Sequence, residues 1–159
     1  MQKIESVTEM RSLAAQFKRS GQSLALVPTS GALHAGHAAL IALAESKADI
    51  VVVCVFANPL AFGPSENYSR YPRSPDADVK MCEDLRVDAV FLPTPEEMFP
   101  RGFSTYVTEE AVSKPLCGIS RPTYFRGVTT ALAKLLTSCG RTCSCWASAT
   151  PSRWRSCAR

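Results

Sequence analysis

The stretch that most constrains the fold lies at residues 24–40, where an apolar run gives way to small residues and then to a His-Ala-Gly-His sequence. The Leu- and Val-rich part ends at Pro28 and predicts a buried strand, and the Ala-rich residues 38–48 predict a helix. The N–H groups of a first helical turn lack partners within the helix, and they carry partial positive charge. This junction of strand, turn and helix therefore predicts a phosphate site.

The residue types in this turn suit a nucleotide. Gly31 and Gly36 allow close approach to the backbone, and His34 and His37 are three apart, so both rings can donate hydrogen bonds to phosphoryl oxygens. Fixed donors of this kind stabilise the charge that develops during phosphoryl or nucleotidyl transfer. The pattern favours this function over the alternative, two surface histidines at a helix start. The predicted nucleotide-binding residues are Ser30, Gly31, Ala32, Leu33, His34, Ala35, Gly36 and His37, with His34 and His37 as the catalytic pair.

Further segments complete an α/β pattern. The β-branched run at residues 49–56 and the shorter apolar run at residues 88–93 predict two more strands of a parallel sheet. Alternation over residues 103–107 predicts an edge strand. Three more helices are predicted, and residues 95–98 are predicted to form one helical turn. The three helices are one capped by Ser6 or Thr8 that ends near Gly21, one capped by Ser74 with Asp76 and Asp78 in its first turn, and one over residues 129–137.

The polar segment at residues 57–73 is too long for a simple connection. It leaves the carboxyl end of the second predicted strand, which is the end where ligands bind in an open parallel sheet. Asn58, Arg70 and Arg73 therefore predict a wall of the substrate site. The alternative is a surface loop stiffened by its prolines.

Composition limits the class of protein. The chain has 159 residues, 46% of them apolar, which is enough for one globular domain with an ordinary core. The net charge of +4 is concentrated partly in the last residues, so we expect no nucleic-acid partner. No apolar run reaches membrane-spanning length and no signal-peptide pattern is present, which predicts a cytosolic protein without a membrane partner.

Seven cysteines are unevenly placed. Cys54, Cys82 and Cys117 have the contexts of buried or incidental thiols. The other four crowd residues 139–157, at spacings that fit no usual zinc site and with no histidine nearby. We therefore predict no protein metal site.

Five stretches carry a family signature in order and spacing across residues 1–137. They include the turn above, an Asn-Pro-Leu-Ala-Phe-Gly-Pro segment, an Arg-Tyr-Pro-Arg segment and a Ser-Arg-Pro-Thr-Tyr-Phe-Arg-Gly segment, and they lie at residues 27–37, 56–64, 70–73, 97–107 and 120–128. Together they closely resemble the pantothenate synthetase (pantoate:β-alanine ligase) family of His-x-Gly-His nucleotidyltransferases.

This resemblance implies a Rossmann-like, doubly wound parallel sheet of the nucleotidyltransferase type and a two-step reaction that requires ATP and Mg2+. ATP adenylates pantoate, and β-alanine then displaces AMP. The family positions imply that His34 and His37 hold phosphate oxygens, with His37 as proton donor. Asn58 would lie on the pantoate and β-alanine side, and Arg121 in the segment that closes over that pocket. The family is usually homodimeric.

Three positions depart from the family pattern. Ser30 replaces a methionine, Ala61 replaces a glutamine that hydrogen-bonds the substrates, and Tyr124 replaces a histidine. Loss of the amide at the substrate-binding position 61 leaves a polar group of the substrate unpaired, at a cost of about 1–3 kcal/mol. A related ligase or nucleotidyltransferase with a different acid substrate therefore remains open.

The segment after Thr137 lacks the apolar periodicity that the family has there. Codons can be chosen for residues 138–158 that, with one added G in front, read Val-Val-Arg-Pro-Asp-Val-Leu-Val-Leu-Gly-Glu-Arg-Asp-Ala-Gln-Gln-Val-Ala-Leu-Val-Arg. This reading restores the family's strand and ATP-binding motif. We therefore expect an incomplete nucleotide-binding domain at residues 1–137, truncated before the second domain, and a frameshifted tail at residues 138–159. Such a chain would lack the strand after Thr137, and an inert translated remnant is the alternative to an active enzyme.

Overall fold

The computed structural model describes residues 1–63, 66–115, 117–140 and 143–144. Its centre is a five-stranded sheet with the order β1-β4-β3-β2-β5. Every pairing is parallel, which confirms the predicted α/β sheet. The strands are β1 (Gln2–Ile4), β2 (Leu24–Thr29), β3 (Ile50–Val55), β4 (Ala89–Phe91) and β5 (Cys143–Ser144).

Helices connect the strands, and two short 3-10 helices interrupt the long segment after β3. None of the helices in the described ranges is long and apolar enough to cross a membrane. The helices are α1 (Val7–Arg19), α2 (Ala35–Glu45), α3 (Pro75–Asp84), α4 (Pro95–Met98), α5 (Cys117–Ser120) and α6 (Tyr124–Cys139), with 3-10 helices at Pro59–Ala61 and Tyr68–Arg70.

The sheet is buried on both faces because alternate residues of each strand point to opposite sides. Leu24 and Leu26 pack in a cluster with side chains of α1 and α6. Ala25 and Val27 pack in a second cluster with side chains of α2 and α3. Helices on both faces of a parallel sheet confirm the doubly wound, Rossmann-like arrangement.

Two elements differ from the sequence prediction. Strand β1 was not predicted, although its Ile4 is only 1% exposed, because three residues are too few to show a period. Residues 103–107 are not a strand. The hydroxyl of Thr130 accepts the N–H of Val107 at 3.0 Å, and the hydroxyl of Thr129 donates to the carbonyl of Val107 at 2.5 Å, so side chains of α6 replace a strand partner.

Helix α6 runs two residues past the predicted end at Thr137, and Gly140 follows in a left-handed conformation. Beyond it, β5 pairs with Ala25 and Leu26 of β2. The expectation that no strand follows Thr137 is therefore wrong, although this strand has only two residues. The predicted tail beyond residue 144 lies outside the described residues.

The predicted burial of Cys54 and Cys82 is confirmed. Cys54 and Cys82 are fully buried, and so is Cys139 at the end of α6. Burial raises the pKa of Cys82 to about 11, so its thiol stays protonated near neutral pH. The side chain of Cys117 is outside the described set.

Candidate active site

The turn after β2 is tied to the neighbouring strand. The Thr29 hydroxyl donates to the carbonyl of Cys54 at 3.0 Å and accepts the N–H of Gly31 at 3.3 Å. Thr29 itself is nearly buried, at 9% exposure. This residue therefore fixes the start of the turn against the end of β3.

The turn itself adopts left-handed backbone conformations. Gly31 has φ +86° and Ala32 has φ +54°. For a residue with a side chain, such as Ala32, this conformation costs about 1–2 kcal/mol. A Cβ at Gly31 would also lie 3.2 Å from Oδ2 of Asp78 and 3.4 Å from Cγ1 of Val55, so glycine suits this position in both backbone and space.

His34 is the N-cap of α2, and its ring forms a reciprocal cap with His37. Nδ1 of His34 accepts the N–H of Gly36 at 3.0 Å, and Nδ1 of His37 accepts the N–H of His34 at 3.3 Å. The two ring centroids are 4.2 Å apart with a 54° tilt. A Cβ at Gly36 would lie 2.8 Å from Cε1 of His34, so the cap requires the glycine between the two histidines.

This cap determines the tautomer of both rings. A nitrogen that accepts a hydrogen bond carries no proton, so each neutral ring holds its proton on Nε2. The pKa of His37 lies below its ordinary value, because burial disfavours the charged form and the neighbouring His34 adds to that effect, while Asp78 opposes it. The turn thus offers two imidazole Nε2–H donors.

The sequence predicted that backbone N–H groups in the first turn of α2 would be free to bind a phosphate, and this prediction is partly wrong. The N–H of Gly36 bonds the ring of His34, and those of His37 and Ala38 bond the carbonyl of His34. These groups of the first helical turn are therefore already paired. A phosphate would bond these three N–H groups only if their present hydrogen bonds were broken.

A cleft of about 210 Å³ opens beside the turn, at the carboxyl ends of β2, β3 and β4. Ser30 and Gly31 line it on one side. Arg73 lines it from the long segment after β3, with its guanidinium 4.2 Å above the ring of Tyr68. The structure thus brings part of the predicted wall to the cleft. Arg70 is exposed in the second 3-10 helix and does not line it.

Asn58 holds protein groups instead of lining this cleft. Its Nδ2 donates to the carbonyl of Gly127 at 2.9 Å, and its Oδ1 accepts the N–H of Leu60 at 3.0 Å. Asn58 therefore fixes the first 3-10 helix against the start of α6. A predicted contact between Asn58 and substrate stays a prediction.

Arg121 lies beside the same 3-10 helix and contacts the predicted Ala61. Its Nη2 donates to the carbonyl of Ala61 at 2.7 Å and to Oε2 of Glu66 at 2.6 Å. The guanidinium lies 4.2 Å from the ring centre of Tyr124. Two of the three departures from the family pattern, Ala61 and Tyr124, thus meet at one arginine.

One further residue was not predicted from the sequence to act at the site. Asp78 was read only as an acidic residue that favours the start of α3, yet it is buried and hydrogen-bonds the turn at Ala32 and Leu33. No periodicity or spacing links α3 to a turn 45 residues earlier. A single Asp in a first helical turn is ordinary, so the sequence contains no signal for this contact.

Comparison with known proteins identifies the family of this chain. The family model described as pantoate-beta-alanine ligase matches residues 2–146. The chain belongs to this family. The pantothenate synthetase of Geobacter sulfurreducens is 48% identical over 135 residues, which is 85% of this chain and 48% of that protein. The pantothenate synthetase of Thermotoga neapolitana is 47% identical over the same shares of the two chains.

Solved structures of the family share the fold. Pantothenate synthetase from Thermus thermophilus superimposes with a TM-score of 0.84 at 37% identity, over 91% of this chain and 51% of that one. The Francisella tularensis ligase, solved with beta-gamma ATP and beta-alanine, gives a TM-score of 0.84 at 31% identity, over 91% and 55% of the two chains. The present chain spans about half the length of the curated relatives that it matches.

Proposed function

We propose that this chain carries the nucleotide-binding half of an enzyme that joins pantoate to β-alanine with ATP. In the first step the carboxylate of pantoate attacks the α-phosphorus of ATP and pyrophosphate leaves. In the second step the amine of β-alanine attacks the acyl carbon and AMP leaves. The observation that carries the proposal is the histidine pair of a ligase-family turn, in which both rings hold Nε2–H at the end of β2.

The roles proposed for the two histidines follow from their protonation. Neutral rings with Nε2–H donate hydrogen bonds to phosphate oxygens, and these bonds strengthen as negative charge builds up on the leaving pyrophosphate. The lowered pKa of His37 keeps it in this neutral form at pH 7. Because Nδ1 of each ring accepts a backbone N–H, the rings keep this orientation before ATP arrives.

Arg121 is proposed to bind a substrate carboxylate. Its Nε is buried with no hydrogen-bond partner among the described residues, and a buried donor of this kind favours an acceptor. A carboxylate can take Nε and Nη2 together in a two-point contact. Glu66 already bonds Nη2 and would compete with the substrate for it.

The described residues contain no group of three or more side chains that could hold a metal ion. We therefore derive no step through a protein-bound Mg2+. The ion is expected with ATP, since Mg2+ is commonly held by substrate phosphates and few protein ligands.

We further propose that a change of reading frame separates residues 138–159 from the domain before them. Ser138 and Cys139 occupy buried positions, at 6% and 0% exposure, where the shifted frame supplies two valines. Strand β5 lies at Cys143–Ser144, where the shifted frame supplies Val-Leu of the family strand. A serine in a core position and a strand without aliphatic residues are the pattern that such a change would produce.

The test compares two proteins. One is the 159-residue chain. The other, called the re-read protein, is translated from the same gene after one base is inserted behind the codon for Thr137, so that the downstream sequence is read in the shifted frame. We expect ATP-dependent formation of pantothenate from pantoate and β-alanine by the re-read protein, and none above a no-enzyme control by the 159-residue chain. An inactive re-read protein that fails to bind ATP by calorimetry contradicts the proposed function. Pantothenate formation by the 159-residue chain contradicts the proposed effect of the frame change.

A further inference from the structure

Asp78 is a buried carboxylate without an opposite charge in contact. It lies in the first turn of α3 and is 2% exposed. The salt bridges found among the described residues do not include it. Because a buried carboxylate is unfavourable unless its oxygens are hydrogen-bonded, its partners define its role.

Those partners are two successive N–H groups of the turn after β2. Oδ2 accepts the N–H of Ala32 at 3.0 Å, and Oδ1 accepts the N–H of Leu33 at 2.7 Å. The carboxylate does not serve its own helix, whose N-cap Ser74 makes no side-chain capping bond. Both oxygens of Asp78 are thus directed to another element.

The two N–H groups flank the strained part of the turn. Ala32 has a left-handed backbone, which a residue with a side chain adopts only when its surroundings hold it. The next residue after Leu33 is His34, the N-cap of α2. A contact that fixes Ala32 and Leu33 therefore sets the direction in which His34 leaves the turn.

The same contact limits the backbone donors that this turn can offer to a phosphate. In many phosphate-binding turns, consecutive backbone N–H groups face the phosphate. In this turn the carboxylate of Asp78 occupies the N–H groups of Ala32 and Leu33. The donors left for a phosphate then include the Nε2–H groups of the two rings.

We propose that Asp78 is a positioning residue of the nucleotide site, whose buried carboxylate holds the turn at Gly31–Leu33 and thereby orients His34 and His37. The proposal deepens the proposed function and rests on it for the identity of the ligand. The geometry of the turn can, however, be measured without any ligand. Asp78 borders the cleft beside the turn but is only 2% exposed, and both of its oxygens bond the turn, so in this account it acts through the turn.

The test uses the complete 159-residue chain and two matched variants. Asp78→Asn keeps the shape but replaces one acceptor oxygen with a donor group, which faces the N–H of Ala32 or Leu33. Asp76→Asn makes the same change of charge in the same turn of α3, at an exposed residue. Any difference between the two variants therefore reports the buried contact.

The first readout is amide hydrogen exchange at Ala32 and Leu33. We expect Asp78→Asn to reduce their protection by about tenfold to a hundredfold, which is the effect of losing a hydrogen bond to a charged group. Asp76→Asn should leave it unchanged. Equal protection in the two variants overturns the proposal.

The second readout is the state of the two imidazoles, which long-range proton–nitrogen NMR reports directly because the chain has only two histidines. The wild-type chain and Asp76→Asn should show both rings with the proton on Nε2. Asp78→Asn should show a mixture of tautomers, and the pKa of His37 should fall further because Asp78 raises it. Unchanged tautomers in Asp78→Asn overturn the proposal.

A third readout separates this proposal from the proposed function. If Asp78 orients the rings, the Kd for ATP should rise about tenfold in Asp78→Asn and stay within about twofold in Asp76→Asn. A wild-type chain that does not bind ATP contradicts nucleotide binding by this chain. The exchange and tautomer comparisons still decide the role of Asp78 in that case.

A second substitution tests the proposal in the case that Asp78→Asn does not fold. Glycine at position 32 adopts the left-handed conformation without strain, so the turn then needs less support. The double variant Asp78→Asn/Ala32→Gly should regain the circular dichroism of the folded chain. If Asp78→Asn is unfolded and the added glycine restores nothing, the proposed holding of a strained turn is wrong.

Discussion

The carbonyl of Gly127 accepts a hydrogen bond from Nδ2 of Asn58 at 2.9 Å, across 69 residues of chain. This bond joins the segment after β3 to the start of α6. The two backbones approach so closely that a Cβ at Gly127 would lie 2.2 Å from the carbonyl oxygen of Leu60. Leu60 and Gly127 also line a second cleft, so this approach shapes its wall.

We predict that Gly127→Ala lowers the free energy of unfolding by about 1–3 kcal/mol, because the added methyl group forces the helix and the loop apart. Urea unfolding of the 159-residue chain measures this. Gly63→Ala is the control, since a Cβ there has only an ordinary contact at 3.5 Å from Oε2 of Glu66. Equal stability of the two variants would contradict the close approach.

The pH dependence of stability should report His37. Its pKa in the folded chain is below the value of 6.5 expected when unfolded, so the unfolded chain binds more protons at mildly acidic pH. The contribution of His37 is therefore complete above pH 6.5 and is lost as the pH falls toward the folded pKa. We expect the free energy of unfolding to decrease between pH 7.5 and pH 5.5.

The control for that experiment is His37→Asn, whose side-chain oxygen can accept the N–H of His34 but does not titrate. Its stability should vary less over the same pH range. The carboxylates with lowered pKa, Asp49, Glu66 and Glu109, titrate below their ordinary values of 3.8 to 4.5, outside this window. An identical slope in the wild-type chain and in His37→Asn would show that His37 is not the group responsible.

A core position tests the change of frame within the chain itself. Ser138 is 6% exposed near the end of α6 and is valine in the shifted frame. We predict that Ser138→Val raises the free energy of unfolding by about 1 kcal/mol, since it adds apolar surface at a buried position. Thr137→Val, at an exposed neighbour, should change it by less than about 0.5 kcal/mol. Destabilisation by Ser138→Val would indicate a position shaped for the serine hydroxyl.

The substrate pocket can be tested at Ala61 in the re-read protein. If the pocket takes pantoate and β-alanine, Ala61→Gln supplies the missing amide and should raise kcat/KM by about tenfold to a hundredfold, equivalent to about 1–3 kcal/mol. Steady-state kinetics on pantoate and on a des-hydroxy analogue measure this. No gain on pantoate, with the Ala61 form preferring the analogue, would point to a ligase with a different acid substrate.

The sequence predicted most of the fold because its long apolar runs are strong signals. Strands β2 and β3 and the faces of the doubly wound sheet follow from such runs. The start of α2 was predicted at Ala38 but lies at Ala35, because His34 serves as the N-cap. Ser, Thr, Asp and Asn are the residues that predict an N-cap, so a histidine at this position does not predict the start of a helix.

The candidate site was predicted less completely, because contacts between residues far apart in the sequence hold its side chains in place. The histidine pair was identified, but the pairing of each Nδ1 with a backbone N–H appears only in the folded turn. The contacts of Asp78 with Leu33 and of Arg121 with Glu66 join residues 45 and 55 positions apart. Local patterns do not contain such pairs.

The central claim is most directly tested by the fate of the pantoate carboxylate oxygen. The re-read protein is supplied with ATP, β-alanine and pantoate labelled with oxygen-18 in its carboxylate. Mass spectrometry then measures the masses of the nucleotide product and of pantothenate. Attack of the carboxylate on the α-phosphorus, followed by displacement of AMP, predicts one labelled oxygen in each AMP formed. Pantothenate accompanied by unlabelled AMP, or by ADP instead of AMP, would contradict the account.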